Sequence, residues 1–375
     1  MFARAEFEAR VGQARSEMAG QDVDVLVADN GELLAWLTGY TVSETMYRAA
    51  FLPREGTPWF VLRDLDSGPC REQSWLEDVI GFPDTASPHF VMAEGLIARG
   101  FGRARIGIDT KSYGYCAETA ALFRELLPEA AFVALPDVGY RLRRRKSETE
   151  IALLRQAAAI ADKAMAVIAE QAAPGMSVRE AAALAAGVFL REGADTGEVG
   201  PIVKSRGDKE FLHGAFRDGR LSEGDILHVE LIPKVTNYSA RMMRPILVGE
   251  PSDEQIKVAQ KLIAIQDQQI AAMKAGAWAH EIDAIMREGA LSAGLRKEYT
   301  NVTGYTLGLM TRTPRTSDFS YVLAPTSKWK LEEGMVFHVY TSAQGFGFSE
   351  TILVAPQGGK RLTQSQRELL CTTSK

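Results

Sequence analysis

Hydrophobic positions along this chain follow two periodicities, and the switch between them outlines its elements. In the first ~140 residues, short β-rich runs recur: VDVLVAD (23–29), PWFVLRD (58–64), ARIGIDT (104–110) and AAFVALP (130–136). Between them lie stretches such as CAETAALFRELLP (116–128), with apolar residues at i, i+3 and i+4. Strands alternating with helices predict an α/β domain over 1–140.

The later pattern differs. SETEIALLRQAAAIADKAMAVIAEQAAPG (147–175) predicts a long helix, with Ser147 as N-cap, Glu150 closing a capping box and Pro174-Gly175 as the stop. SVREAAALAAGVFLREG (177–193) predicts a second helix, followed by strands in DILHVELIP (225–233) and TNYSARMMRPILVG (236–249). The same order returns as helices over 252–276 and 279–294, then strands in MVFHVYTS (335–342) and FGFSETILVAP (346–356). Two helices followed by strands, twice over, predict an α+β domain over 141–375, with helices covering one curved antiparallel sheet.

Composition narrows the function classes. The 375 residues are 46% hydrophobic and 24% charged, enough apolar surface for a large core in two domains. The net charge of −5 gives no global basic field for nucleic acid or an anionic membrane. The basic run RLRRRK (141–146) lacks interleaved aromatics and reads as a solvated linker or helix entrance. Three scattered cysteines without a CxxC point to reduced thiols, and no apolar stretch is long enough to span a bilayer. A cytoplasmic protein is expected.

No phosphate loop, HExxH or GxSxG occurs, and the five histidines show no i, i+3 or i, i+4 pairing. Strand alternation offers a better lead. His228 and Glu230 point to one side of their strand, and His338 and Tyr340 share a side of theirs. Polar residues on otherwise aliphatic strands need partners or water, so two such strands in one sheet line a polar cavity. Hydrogen-bonded histidines at a sheet margin are the plainer alternative.

The ordered segments RRRKSETEI, FLHGAF, GDILHVELIP…RMMRPILVG, NVTGYTLGL, LEEGMVFHV and FSETILV resemble the creatinase/aminopeptidase P/prolidase superfamily and its pita-bread catalytic domain. AWLTGY (35–40) and the Tyr47-Arg48 pair resemble its first domain. The resemblance implies a metallopeptidase centre of two Asp, one His and two Glu. Those positions fall here on Glu230, Arg241, Tyr305, Tyr340 and Ser349, the last beside Glu350. A cation at Arg241 repels a dication, and a phenol is a poor substitute for imidazole or carboxylate. No metal site and no cofactor are expected.

The chain instead resembles the metal-free branch, ectoine hydrolase and creatinase, which cleaves non-peptide C–N bonds. That resemblance implies His213 as acid/base and Glu230, then Glu350, as carboxylates that pair with an amidinium or guanidinium. Arg48, Arg312 and Arg315 are expected to clamp a substrate carboxylate, and Tyr40, Tyr305 and Tyr340 to shape the cavity with His228 and His338. Arg241 is either a substrate ligand or the partner of Glu230. Met243 stands where the branch has a Glu, and MTRTPRTSD (310–318) replaces a histidine-aromatic segment, so the substrate itself stays open. The resemblance also implies a homodimer sharing its active sites. An Xaa-Pro peptidase and a non-catalytic binding protein are the competing readings.

Overall fold

The computed structural model describes residues 2–40, 45–205, 219–312 and 320–372. The chain divides into two units, Met1–Arg143 and Arg144–Lys375.

The N-terminal unit is an α/β layer structure. Its strands are β1 (Val25–Ala28), β2 (Ala49–Pro53), β3 (Trp59–Arg63), β4 (Asp78–Phe82), β5 (Arg105–Ile108) and β6 (Ala131–Ala134). They form a mixed sheet in the order β4-β3-β2-β1-β5-β6, in which β1, β5 and β6 run parallel and β2 is antiparallel to both its neighbours. The helices are α1 (Arg4–Gly20), α2 (Gly31–Thr38), α3 (Asp64–Gln73), α4 (Pro88–Ala98), α5 (Ala117–Leu126) and α6 (Val138–Arg143). The four strands expected from sequence are all present. The sequence pattern did not single out AAFLP and DVIGF, which form β2 and β4. The basic run is only partly a solvated entrance: Arg141 and Arg143 lie in α6, and Arg143 is buried, with Nε donating to the Gly139 carbonyl 3.1 Å away.

The C-terminal unit has the pita-bread architecture. Helices α7 (Glu148–Gln171) and α8 (Val178–Arg191) precede β7 (Ile202–Ser205), β8 (Ile226–Leu231), β9 (Lys234–Val235), β10 (Tyr238–Ser239) and β11 (Met242–Val248). Then α9 (Asp253–Ala272) and α10 (Ala279–Ser292) precede β12 (Gly304–Thr306), β13 (Val322–Leu323), β14 (Val336–Ala343), β15 (Phe346–Ala355), β16 (Gly358–Arg361) and β17 (Leu370–Thr372). One antiparallel sheet runs β13-β12-β14-β15-β11-β8-β7, with β16 on β15 and β17 parallel to β11. No described helix is long and apolar enough to cross a membrane.

Capping explains where the long helices begin. Ser147, Ser177 and Ser252 each accept from the backbone N–H three residues on, and the residue there returns a bond to the cap backbone. Helices α7 and α8 then cover one end of the sheet, burying Leu227, Val229 and Leu231 of β8 with Met242, Ile246 and Val248 of β11. In the other half, Ile270 of α9 and Ile282 of α10 cover Phe337 and Val339 of β14 with Ile352 and Val354 of β15. Side chains alternate along each strand, so the intervening residues of these strands face away from these helices, except at the strand ends, where Ile226 of β8 and Leu247 of β11 pack with Val258 and Leu262 of α9.

Candidate active site

The strand register sets the site. On β8, Glu230 pairs with Met243 of β11, Met243 with Ser349 of β15, and Ser349 with Tyr340 of β14. One step along, Thr351 pairs with His338, and His338 with Tyr305 of β12. Arg241 extends this second row: its N–H donates to Thr351 Oγ1 (2.8 Å), and that hydroxyl donates back to the Arg241 carbonyl (2.9 Å). Both rows lie on the face turned away from the helices. The five positions implied as metal ligands by resemblance thus share one surface.

A tight reversal delivers Arg241 to Glu230. Thr236 and Asn237 both adopt positive φ (50° and 63°) between paired Val235 and Tyr238, the two-residue turn suited to strand twist. The Asp195 carboxylate fixes it by accepting from the Thr236 and Asn237 N–H groups at 2.8 and 2.6 Å. The sequence reading of 236–249 as one strand is corrected here: β10 ends at Ser239 and β11 begins at Met242, so Arg241 sits in the break. Behind Glu230, Gly200 allows close approach, since a Cβ there would lie 2.5 Å from the Glu230 carbonyl oxygen.

Arg241 Nη1 donates to Tyr305 Oη at 2.7 Å and stands 3.7 Å from Glu230 Oε1. His338 Nδ1 lies 2.8 Å from the same Tyr305 oxygen. The His338 ring stacks on Tyr340 (centroids 5.3 Å apart, planes 19°), and Asn301 donates to the Tyr340 hydroxyl at 3.3 Å. Burial raises the Glu230 carboxyl to about 7, with the Arg241 charge pulling the other way. Burial, helped by Arg241, drives His338 well below the usual imidazole range, so this ring is neutral at neutral pH. Burial also raises the Tyr340 phenol, which keeps its proton. The result is a buried carboxylate poised between its two states beside a permanent cation.

The remaining predicted residues are placed differently. Glu350 points to the helix-facing side, where its carboxylate accepts from Arg244 Nη2 at 2.7 Å and from the Thr363 hydroxyl, with Arg367 Nε 3.2 Å away as a further charge partner. The structure does not bring it together with Glu230: adjacent residues of β15 point to opposite faces. His228 shares the Glu230 face one pair along, opposite Pro245, and is fully buried. Arg312 is exposed, with its carbonyl accepting from Lys234 Nζ at 3.2 Å. His213 and Arg315 lie outside the described residues. Tyr40 and Arg48 belong to the N-terminal unit, where both are buried and Arg48 Nη1 donates to the Asp29 carbonyl at 3.0 Å. Sequence reasoning missed Asn301 and Thr351. Thr351 was accessible through its two-residue offset from Ser349; Asn301 had no local signal.

The family's sequence model described as Metallopeptidase family M24 matches residues 152–359, and that of the Creatinase/Prolidase N-terminal domain matches 10–145. The chain belongs to family M24. Among its relatives in this family of hydrolases, an Xaa-Pro dipeptidase of Pyrococcus furiosus is 29% identical over 254 residues, 66% of this chain and 71% of that protein. The ectoine hydrolase of Halomonas elongata is 24% identical over 391 residues, 98% of each. The solved Xaa-Pro dipeptidase from Bacillus anthracis shares the fold with a TM-score of 0.85 at 20% identity, covering 98% of this chain and 100% of that one.

The family name implies metal, and the donors here do not fit it. The surface that would hold a dinuclear centre carries one carboxylate, two phenols, a serine and a guanidinium. Burial holds the Tyr340 phenol protonated, and the guanidinium stands beside both the Glu230 carboxylate and the Tyr305 oxygen. Divalent ions in such sites need several anionic or imidazole donors. Among the described residues no three His, Cys, Asp or Glu groups are placed to hold an ion.

Proposed function

We propose that this M24 member hydrolyses a non-peptide C–N bond in a small zwitterionic amidine, cyclic amidine or guanidine, ectoine and creatine being model compounds, and that it does so without a metal. The observation that carries this reading is the placement of Arg241 beside Glu230 on the surface formed by the family's ligand positions. An amidinium already carries the positive charge that makes its carbon electrophilic, so a Lewis acid is less needed than for an amide. The likeness to ectoine hydrolase over nearly the whole of both chains supports the same branch.

In this mechanism ionised Glu230 pairs with the substrate's N–C–N cation and takes a proton from the attacking water. The new C–O bond forms as that proton leaves. Protonated Glu230 then gives that proton to the leaving nitrogen, directly or relayed through His213, the imidazole implied by resemblance, and the C–N bond breaks. The second water proton ends on the released amine, giving an ammonium and an amide from an amidine or a urea from a guanidine. A carboxyl near 7 suits both directions of transfer. The same reading carries a cytoplasmic homodimer with shared sites, as the sequence resemblance implies.

A peptidase reading draws on the Xaa-Pro dipeptidase relatives, but it requires the metal donors that Arg241, Tyr305 and Tyr340 replace. The test is metal content of the purified protein, with turnover of ectoine, creatine and an Xaa-Pro dipeptide measured with and without chelator. Chelator-resistant C–N hydrolysis is expected. Stoichiometric metal with chelator-sensitive dipeptide cleavage overturns the proposal.

A further inference from the structure

Residues 299–303 belong to no helix or strand, yet they hold Tyr340 at both ends. The Thr303 carbonyl accepts from the Tyr340 N–H at 3.1 Å, and the Asn301 side chain meets the Tyr340 hydroxyl at 3.3 Å. The same Asn301 atom lies 3.2 Å from the Val302 carbonyl, which can only accept. It is therefore the amide nitrogen, and the Tyr340 oxygen is its acceptor.

What fixes Asn301 comes from α10. Arg287 Nη1 donates to the Tyr299 carbonyl and Nη2 to the Asn301 carbonyl, the latter at 3.0 Å. On its other edge, Nε and Nη2 donate to the two carboxylate oxygens of Asp283 at 2.6 and 3.0 Å. Asp283 is fully buried and also accepts from the Thr303 hydroxyl at 2.9 Å. Four of the five guanidinium N–H groups are thereby engaged, in a planar arrangement that an ammonium cannot reproduce. One such bond ties a loop down. Two, to carbonyls two residues apart, also set the direction in which the Asn301 side chain leaves the backbone.

Helix α10 packs on the covered face of the sheet, where Ile282 meets Phe337 and Val339 of β14. Tyr340 points to the opposite face, in the row of Glu230 and Ser349. The 299–303 segment carries the position of a helix residue round to that face.

We propose that Arg287, oriented by Asp283, is the positioning residue for Tyr340: through the Tyr299 and Asn301 carbonyls it fixes where the Tyr340 hydroxyl stands beside the Glu230 face. Its bearing on turnover rests on the reading of that face as a hydrolase site; the positioning itself does not. Groups in such sites act through placement held to a fraction of an ångström, so a residue that touches no substrate still changes the rate.

Tyrosine labelled with ¹³C at Cζ reports each phenol, and the signal lost in Tyr340→Phe is that of Tyr340. Asn301→Ala is expected to shift it by removing the donor. Arg287→Lys keeps the charge but cannot bridge both carbonyls while pairing twice with Asp283; it should shift the signal the same way, and the double variant no further. Ile282→Val loosens the same helix and lowers the denaturation midpoint, but should leave the signal in place. If Arg287→Lys does not fold, Asp283→Asn, which keeps the shape, is read instead. A Tyr340 signal that ignores the Arg287 or Asp283 variant, that moves equally in Ile282→Val, or that shows additive shifts overturns the proposal. Turnover of ectoine and creatine tests the consequence. Arg287→Lys should lower kcat/KM roughly threefold to tenfold with Tyr340 present, and by less than about twofold in the Tyr340→Phe background. Equal losses in both backgrounds overturn the role in turnover. If the wild type turns over neither compound, the hydrolase reading of this face fails, and the Tyr340 signal alone decides the positioning.

Discussion

Glu230 Oε1 and Arg241 Nη1 lie 3.7 Å apart on a buried surface, and the guanidinium makes its short bond to Tyr305 rather than closing on the carboxylate. The pair is close enough for the cation to act on the carboxyl and too loose to hold it ionised. Burial therefore wins, and the carboxyl sits near 7.

The pH profile should report this balance. If ionised Glu230 is the active form, kcat/KM has an acid limb near 7. Arg241 lowers the Glu230 value, so Arg241→Met removes that opposing charge and shifts the limb to higher pH. Each pH unit of movement corresponds to about 1.4 kcal/mol. A limb that stays in place or moves down contradicts the assignment.

Glu230→Gln should lower kcat by about 10²–10⁴-fold, the usual contribution of a positioned acid/base, with the native circular dichroism spectrum retained. The same carboxyl has a stability signature. Its folded value lies above the ordinary 4.5, so the folded chain keeps a proton that the unfolded chain has lost. This contribution is fully present below 4.5 and is lost as pH rises through about 7, on the order of 3 kcal/mol in all. Urea titrations across pH 4–8 should show that slope in the wild type and a flatter one in Glu230→Gln.

On the reverse face, Glu350 is expected to matter for folding. Replacing it by Ala leaves Arg244 and its neighbours buried without their counter-charge, which costs about 3–5 kcal/mol. A double-mutant cycle with Arg244→Met should recover a substantial part of that loss. Full additivity in the denaturation midpoints would mean the two side chains do not act as a pair.

Glu150 carries two duties at the start of α7. Oε2 accepts from the Ser147 N–H at 2.8 Å and Oε1 from the buried Tyr238 hydroxyl at 2.7 Å. Glu150→Ala should therefore cost more than the ~1 kcal/mol of an ordinary cap. Tyr238→Phe should cost about 1 kcal/mol less than that, since it leaves the capping box intact. Equal losses in chemical denaturation would mean the cap contributes nothing.

Local chemistry made most elements of this chain readable. The starts of α7 and α8 are written in Ser147–Glu150 and Ser177–Glu180, because a capping box joins residues three apart and needs nothing from the rest of the fold. Alternation likewise assigned Glu230 with His228, and His338 with Tyr340, to single faces of their strands, since that depends only on the extended backbone. Neither rule says which strands become neighbours. Pairing across β8, β11, β15, β14 and β12 joins residues up to about a hundred positions apart, and it was the register that set Glu230, Ser349 and Tyr340 in one row. The break at Arg241 and its contact with Tyr305 also needed that assembled sheet. Sequence determined the periodicity and the chemical types; tertiary structure decided their partners, because hydrogen bonding and burial between distant strands are properties of the packed sheet alone.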